Sequence, residues 1–226
     1  MLQHVPDVLT PDELIEARRL LANAQWVDGK VTAGTQAAVV KNNQQLPESA
    51  PEILALRQLV HGALNRNALF FSAALPSKIL PPFFNRYSGK TNHYGFHVDN
   101  AMRRTPDGSA YVRADVSATL FLSEPDEYEG GELMIEDTFG RHAFKLKAGS
   151  MVVYPSSSVH QVTPVLEGAR VACFMFIQSM VRDAEKRRIL YDIDISLMQL
   201  RQTVGETEAV VHLTGVYHNL LRRWAE

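Results

Sequence analysis

Cysteine is nearly missing from this sequence: Cys173 stands alone among 226 residues, so no intramolecular disulfide can form, and a reducing compartment is expected. An excess of one charge is missing too. With 23 Lys and Arg against 25 Asp and Glu, a net charge of −2, no global field draws the chain to nucleic acid or to an acidic membrane surface. Nowhere does an apolar run reach the roughly 18 residues that would cross a bilayer. Met1 to Asp7 carries neither the basic start nor the apolar stretch of a secretory leader. The expectation is a soluble, cytoplasmic chain with no membrane or nucleic-acid partner. Internal repeats and low-complexity tracts are also absent, and the length suits one main domain with appended helices.

What is present begins with a helix start. Thr10-Pro11-Asp12-Glu13 places Thr10 as N-cap, Pro11 at the first helical position and Glu13 to close a capping box, after which Leu14, Ala17, Leu20, Leu21 and Ala24 recur at helical spacing. Trp26 to Thr35, with Asp28-Gly29 and Gly34, reads as turn chemistry between short extended pieces. A second helix is expected from Pro51 to about Asn67.

From Leu75 the texture changes to short runs broken by Gly, Pro and Asp. Strands are expected at Lys78 to Tyr87, Tyr94 to Asp99, Asp115 to Leu122, Glu132 to Glu136, Arg141 to Lys147, Ser150 to Tyr154, Val159 to Val165 and Arg170 to Gln178. Gly130-Gly131 and Gly149 fall where tight turns are needed. Met102 to Tyr111, with Arg103, Arg104 and Pro106-Asp107-Gly108, reads as a polar loop suited to substrate selection. Eight short strands without helices between them suit an antiparallel barrel or sandwich, the jelly roll among these. After Ser179 two helical segments follow, broken at Gly205. The expected fold is therefore mainly β with flanking helices: residues 1–74 a helical and extended support, 75–179 a double-stranded β-helix (jelly-roll) core, and 180–226 a C-terminal helical extension, either packed on the barrel or making a homo-oligomer contact.

The chemistry concentrates around Asn85-Arg86-Tyr87-Ser88-Gly89 and Tyr94-Gly95-Phe96-His97-Val98-Asp99-Asn100. His97 and Asp99 are two apart on an extended segment and point to one side, so an imidazole and a carboxylate can converge on a metal ion. A third ligand should come from a distant strand, and His160 fits. Two His and one carboxylate on one face of a metal, with the other positions open, is the donor set of non-haem Fe(II) oxygenases. Arg170, ten residues after His160, opens an apolar run; its planar guanidinium can hold one end of a small dicarboxylate whose other end chelates the metal. The competing reading is a salt bridge to Glu132 or Glu136.

This order of His-x-Asp, a downstream His and a basic residue ten further on resembles the Fe(II)/2-oxoglutarate dioxygenases, within them the prolyl-4-hydroxylase-like group, and more closely the bacterial PKHD-type hydroxylases. The likeness runs from Asn85 to Gln178 and includes Gly130-Gly131-Glu132-Leu133 and Gly149-Ser150-Met151-Val152-Val153-Tyr154-Pro155. It implies Fe(2+) held by His97, Asp99 and His160, 2-oxoglutarate as co-substrate anchored by Arg170, O2 as oxidant and L-ascorbate as reductant, and it associates some relatives with iron uptake. Tyr87 is implied as a further co-substrate contact, although the family pattern Tyr-x-x-Gly is met only by Tyr87-Ser88-Gly89, its glycine one position early. A tyrosine expected on the strand after the metal loop is replaced by Phe121 or Thr119. The substrate is left open between a peptidyl proline or lysine and a small molecule. A cupin-like metal- or ligand-binding protein without oxygen chemistry is the alternative, followed by a zinc hydrolase and by a partner-binding module on the C-terminal helices. His61, His93, His142, His212 and His218 lack partners at ligand spacing, His93 being near enough to line the site's mouth. Cys173 falls on the strand face opposite Arg170 and reads as packing.

Overall fold

The computed structural model of the chain describes residues 1–32, 35–105 and 107–226; the expected turn at Gly34 and the Pro106 step lie outside the described residues. Two antiparallel sheets face each other. The larger runs in the order Gln3–Val5, Met151–Pro155, Val116–Phe121, Val165–Ser179, Phe83–Ser88, Gln44–Gln45, Val27–Asp28, with Tyr128–Gly130 and Pro76–Ile79 also paired to the long Val165–Ser179 strand. The smaller runs Gly140–Phe144, Leu133–Asp137, His160–Val162, His93–His97, Lys41–Asn42. From Phe83–Ser88 to Val165–Ser179 the chain passes back and forth between these two sheets, with Leu133–Asp137 and Gly140–Phe144 forming a hairpin within the smaller one, in the expected jelly-roll arrangement.

Alternation along Val165–Ser179 assigns its two faces. Cys173, Met175 and Ile177 join an apolar core beneath the N-terminal helices, together with Leu56, Val60 and Phe70. Arg170, Phe174 and Phe176 line the cavity between the sheets. Each large apolar side chain so buried contributes roughly 1.5–3 kcal/mol. The first helix, Pro11–Ala22, starts as expected: the Glu13 N–H donates to the Thr10 hydroxyl, and the Thr10 N–H donates to the Glu13 carboxylate at 2.9 Å. Gly130 and Gly131 turn with φ +70° and +69°, and a Cβ at Gly130 would lie 2.1 Å from the Pro164 carbonyl, so both the turn and the close approach require glycine there.

Strand ends shift, Val159 to Val165 shortening to His160–Val162, Arg141 to Lys147 ending at Phe144 and Arg170 to Gln178 starting at Val165, and four larger differences stand beside these. Lys78 to Tyr87 is two strands, Pro76–Ile79 and Phe83–Ser88, because Pro81 and Pro82 have no N–H to extend a ladder. The second helix, Ile53–Asn65, is followed by another, Ala68–Ala74, capped by Asn67. Beyond the single turn Gly29–Thr32 a short helix covers Thr35–Val40. The loop expected from Met102 to Tyr111 is a hairpin, Met102–Arg104 paired with Tyr111–Arg113; at its tip Asp107 accepts from Thr105 Oγ1 (2.5 Å), Ser109 Oγ (2.8 Å) and the Ser109 N–H (3.1 Å). The C-terminal helices, Ala184–Val204 and Glu208–Trp224, break at Gly205 and pack on Leu75 and Val181. No described helix is long and apolar enough to cross a membrane.

Candidate metal centre

His97 ends the strand His93–His97, and His160 begins the strand His160–Val162 directly opposite it in register. Cross-strand pairing, not sequence proximity, brings the two imidazoles together, their centroids 4.2 Å apart. Asp99 follows just beyond the first strand, and ligand atoms from all three residues lie within 4.8 Å of one another. Each imidazole has its Nδ1 against a backbone carbonyl: His97 against Gly95 at 2.8 Å, His160 against Ser158 at 3.0 Å. A carbonyl can only accept, so both Nδ1 atoms carry the proton and both Nε2 lone pairs are free for a metal. The Asp99 carboxylate accepts from Ser117 Oγ at 2.6 Å, and Ser117 is itself linked to Ser156 Oγ at 2.7 Å. Tyr94 stacks on the His97 ring at 3.6 Å. Burial, with His160 beside it, pushes His97 down to about 4, so it is neutral and able to ligate at neutral pH.

Arg170 is 1% exposed and pairs across the sheet with Tyr87, also 1% exposed. Its guanidinium carbon lies 5.3 Å from the Tyr87 ring centroid and 5.2 Å from that of Phe121. None of its three side-chain nitrogens has a hydrogen-bond partner. The salt bridges weighed from sequence are not made: Glu132 accepts from Thr163, and Glu136 pairs with Arg141. An unpaired buried charge costs several kcal/mol, which a carboxylate ligand would offset. A metal triad and an orphaned guanidinium therefore share one cavity. That arrangement fits a metal-chelating dicarboxylate better than a metal alone, and the Nε2, Nε2 and carboxylate donor set suits Fe(II).

Phe121 and Thr119 were weighed from the sequence, whereas Tyr128, Asn43 and Lys41 were not. Phe121 stands at the guanidinium with no polar atom to offer, whereas Thr119 lines the cavity wall. A hydroxyl comes instead from Tyr128, buried, with no hydrogen-bond partner, yet near enough to feel the Arg170 charge; burial raises its pKa and that charge opposes the rise. Tyr87 Oη accepts from Asn85 Nδ2 at 3.3 Å. Asn43 is 1% exposed with both amide atoms unpartnered, and Lys41 and Arg103 bring two further cations to the same wall. Sequence offered little warning of Lys41 and Asn43, because the two-residue strands at and beside them are placed by pairing with strands far along the chain. His93 is held by Asn92 and Asn42 and does not line the cavity. Cys173 faces the helix-side core, as its register requires.

Comparison with known proteins agrees with this geometry. A family profile described as the 2OG-Fe(II) oxygenase superfamily matches residues 82–178, and one described as the PKHD-type hydroxylase C-terminal domain matches residues 184–226. A PKHD-type hydroxylase of Nitrosomonas eutropha is 72% identical over the full length of both chains. A prolyl-4-hydroxylase of Pseudomonas putida shares the fold with a TM-score of 0.51 and 23% identity, over 78% of this chain and 92% of that one. A prolyl hydroxylase of Trichoplax adhaerens, solved with a hypoxia inducible factor peptide, superposes with a TM-score of 0.55 at 14% identity, covering 84% and 86%.

Proposed function

The chain belongs to the PKHD-type hydroxylases, enzymes of the 2OG-Fe(II) oxygenase superfamily, and from that premise we propose that His97, Asp99 and His160 hold its iron while Arg170 anchors 2-oxoglutarate. The observation that carries this reading is the orphaned Arg170 guanidinium in the cavity of the triad. Tyr87 lies against it and orients it, and the Tyr128 hydroxyl is available to the same carboxylate. The chemistry supplied by Fe(II), 2-oxoglutarate and O2 is oxidative decarboxylation to succinate and CO2 coupled to hydroxylation of a C–H bond.

The protein's own share is positional. Gly95 and Ser158 carbonyls fix the imidazole tautomers, Ser117 aims the Asp99 carboxylate, and apolar neighbours such as Leu133 and Val162 exclude water from the cavity. The substrate is a peptidyl proline or lysine or a small molecule. Ascorbate as reductant, a link to iron homeostasis and a cytoplasmic setting belong to the same proposal, supported by family likeness and, for the compartment, by the buried free thiol of Cys173. In the cupin-like alternative, a metal- or ligand-binding protein without oxygen chemistry, a site that held a metal alone would leave a buried guanidinium with nothing to bind. The purified chain given Fe(II), 2-oxoglutarate and air is expected to release succinate slowly even without substrate. A preparation with iron bound that never forms succinate overturns the proposal.

A further inference from the structure

A second cleft opens on the outer face of the larger sheet, the face opposite the catalytic cavity. It holds about 490 Å³, within the range of small-ligand pockets, and lies between the helix Pro11–Ala22 and the strands Phe83–Ser88 and Val165–Ser179. Leu21, Leu122, Ala169 and Val171 give it an apolar wall, to which the partly buried Trp26 adds an aromatic surface. Its charges do not balance. Arg18 and Glu127 are paired with each other, whereas the half-buried Arg86 makes no side-chain hydrogen bond, ion pair or ring contact with any described residue. One guanidinium is left over beside an apolar surface. Register puts this cleft directly behind the co-substrate anchor. Arg86 stands between Asn85 and Tyr87, which face the cavity, and pairs across the sheet with Val171. Ala169 and Val171 flank Arg170, and Ser123 holds both: its Oγ accepts from the Val171 N–H at 2.9 Å and donates to the Ala169 carbonyl at 3.0 Å.

We propose that this cleft is an effector site for a small monocarboxylate with an apolar body, and that filling it weakens the grip on 2-oxoglutarate. The carboxylate pairs with the planar fork of Arg86, and the apolar body lies against Trp26 and the aliphatic wall. An inorganic anion would satisfy Arg86 and leave that wall wet. A neutral apolar molecule would dry the guanidinium without compensating it. The coupling is electrostatic. While the cleft is empty, the unpaired charge of Arg86 stands one residue from Tyr87 and adds to the positive field that draws a dicarboxylate to Arg170. A bound carboxylate cancels that charge, and by linkage 2-oxoglutarate weakens the effector by the same factor. The site stands on the cleft alone; its coupling rests on the oxygenase reading, in which Arg170 holds the co-substrate.

Trp26 supplies the readout, since the chain has two tryptophans and W224F leaves Trp26 alone to report. The full chain carrying W224F is titrated with 3-phenylpropionate, 3-phenylpropionamide and inorganic phosphate and followed by fluorescence, while calorimetry on the unmutated chain repeats the comparison. 3-Phenylpropionate is expected to bind with a Kd on the order of a millimolar, the amide about tenfold more weakly and phosphate not measurably. Binding should persist in R170M, fall about tenfold in R86Q and return in part with R86K. An acid that leaves Trp26 unmoved, an amide that matches its acid, or affinity unchanged in R86Q overturns the site. So does binding that disappears in R170M, which places the acid in the catalytic cavity. Because the unmutated chain is titrated as well, an unstable variant does not protect the proposal. The coupling is read without oxygen from the visible charge-transfer band of Fe(II) and 2-oxoglutarate. Saturating 3-phenylpropionate should raise the 2-oxoglutarate needed for half the band about two- to fivefold, and R86Q should show that rise without the acid and none further with it. A band titration that the acid does not move, or moves equally in R86Q, overturns the effector role. A parent that forms the band and binds no acid sinks this inference alone. A parent that binds the acid and never forms the band sinks the oxygenase reading and leaves the cleft a site.

Discussion

The metal-binding side of the cavity and the wall that faces it are built to opposite specifications. Around His97, Asp99 and His160 the atoms that point away from a metal are already satisfied: both Nδ1 atoms donate to carbonyls, and Asp99 accepts from Ser117. On the wall, the guanidinium of Arg170 and the amide of Asn43 are buried without partners, as is the Tyr128 hydroxyl near that guanidinium. The first arrangement is rigid and complete before any ligand arrives. The second carries desolvated polar groups whose cost is recovered only on binding, as expected where affinity for a dicarboxylate is stored in the protein itself.

Replacing Arg170 tests this contrast most severely. In R170M, affinity for 2-oxoglutarate should fall by on the order of a hundredfold or more, since a buried charge pair loses one partner. The ligand-free protein should nevertheless hold its melting temperature or gain roughly 2–4 °C for each kcal/mol of relieved desolvation, and added 2-oxoglutarate should no longer raise it. Scanning calorimetry with and without the co-substrate reads both effects; a ligand-free R170M that melts well below the parent breaks the comparison. S117A acts on the satisfied side. Removing the hydroxyl that aims Asp99 should weaken Fe(II) binding by about 10- to 100-fold in a metal titration. The apparent 2-oxoglutarate affinity at saturating iron should change little. Y128F is expected to be mildest, raising the 2-oxoglutarate concentration needed for half-saturation by about tenfold, the lower end of what one hydrogen bond to a charged group contributes. If it matches R170M, the anchor has been assigned to the wrong side chain.

The same contrast explains what the sequence made legible. His97, Asp99, His160 and Arg170 could be found because their residue types are scarce in apolar strands and their faces follow from alternation; Arg170 and Cys173 sort to opposite faces of Val165–Ser179 as register demands. Thr10, Pro11 and Glu13 declared a helix start because capping is local chemistry. Lys41 and Asn43 were invisible for the converse reason. Lys41–Asn42 and Gln44–Gln45 are two-residue strands with no periodicity to read, and their place in the cavity depends on pairing with His93–His97 and Phe83–Ser88 far along the chain. Arg103 was seen, but in a loop; its three-residue strand, Met102–Arg104, exists only through Tyr111–Arg113. Ser117 sits in a wholly buried strand, where a small hydroxyl reads as filler until Asp99 is brought against it.

The central claim, that the triad and Arg170 grip one co-substrate together, is tested most directly by anaerobic titration of the metal-free protein with Fe(II) and 2-oxoglutarate, following the visible charge-transfer band of the chelate. The parent should develop the band at stoichiometric iron, D99A should never develop it, and R170A should develop it only at much higher 2-oxoglutarate. An R170A titration that overlays the parent, or a band that survives in D99A, would contradict the account.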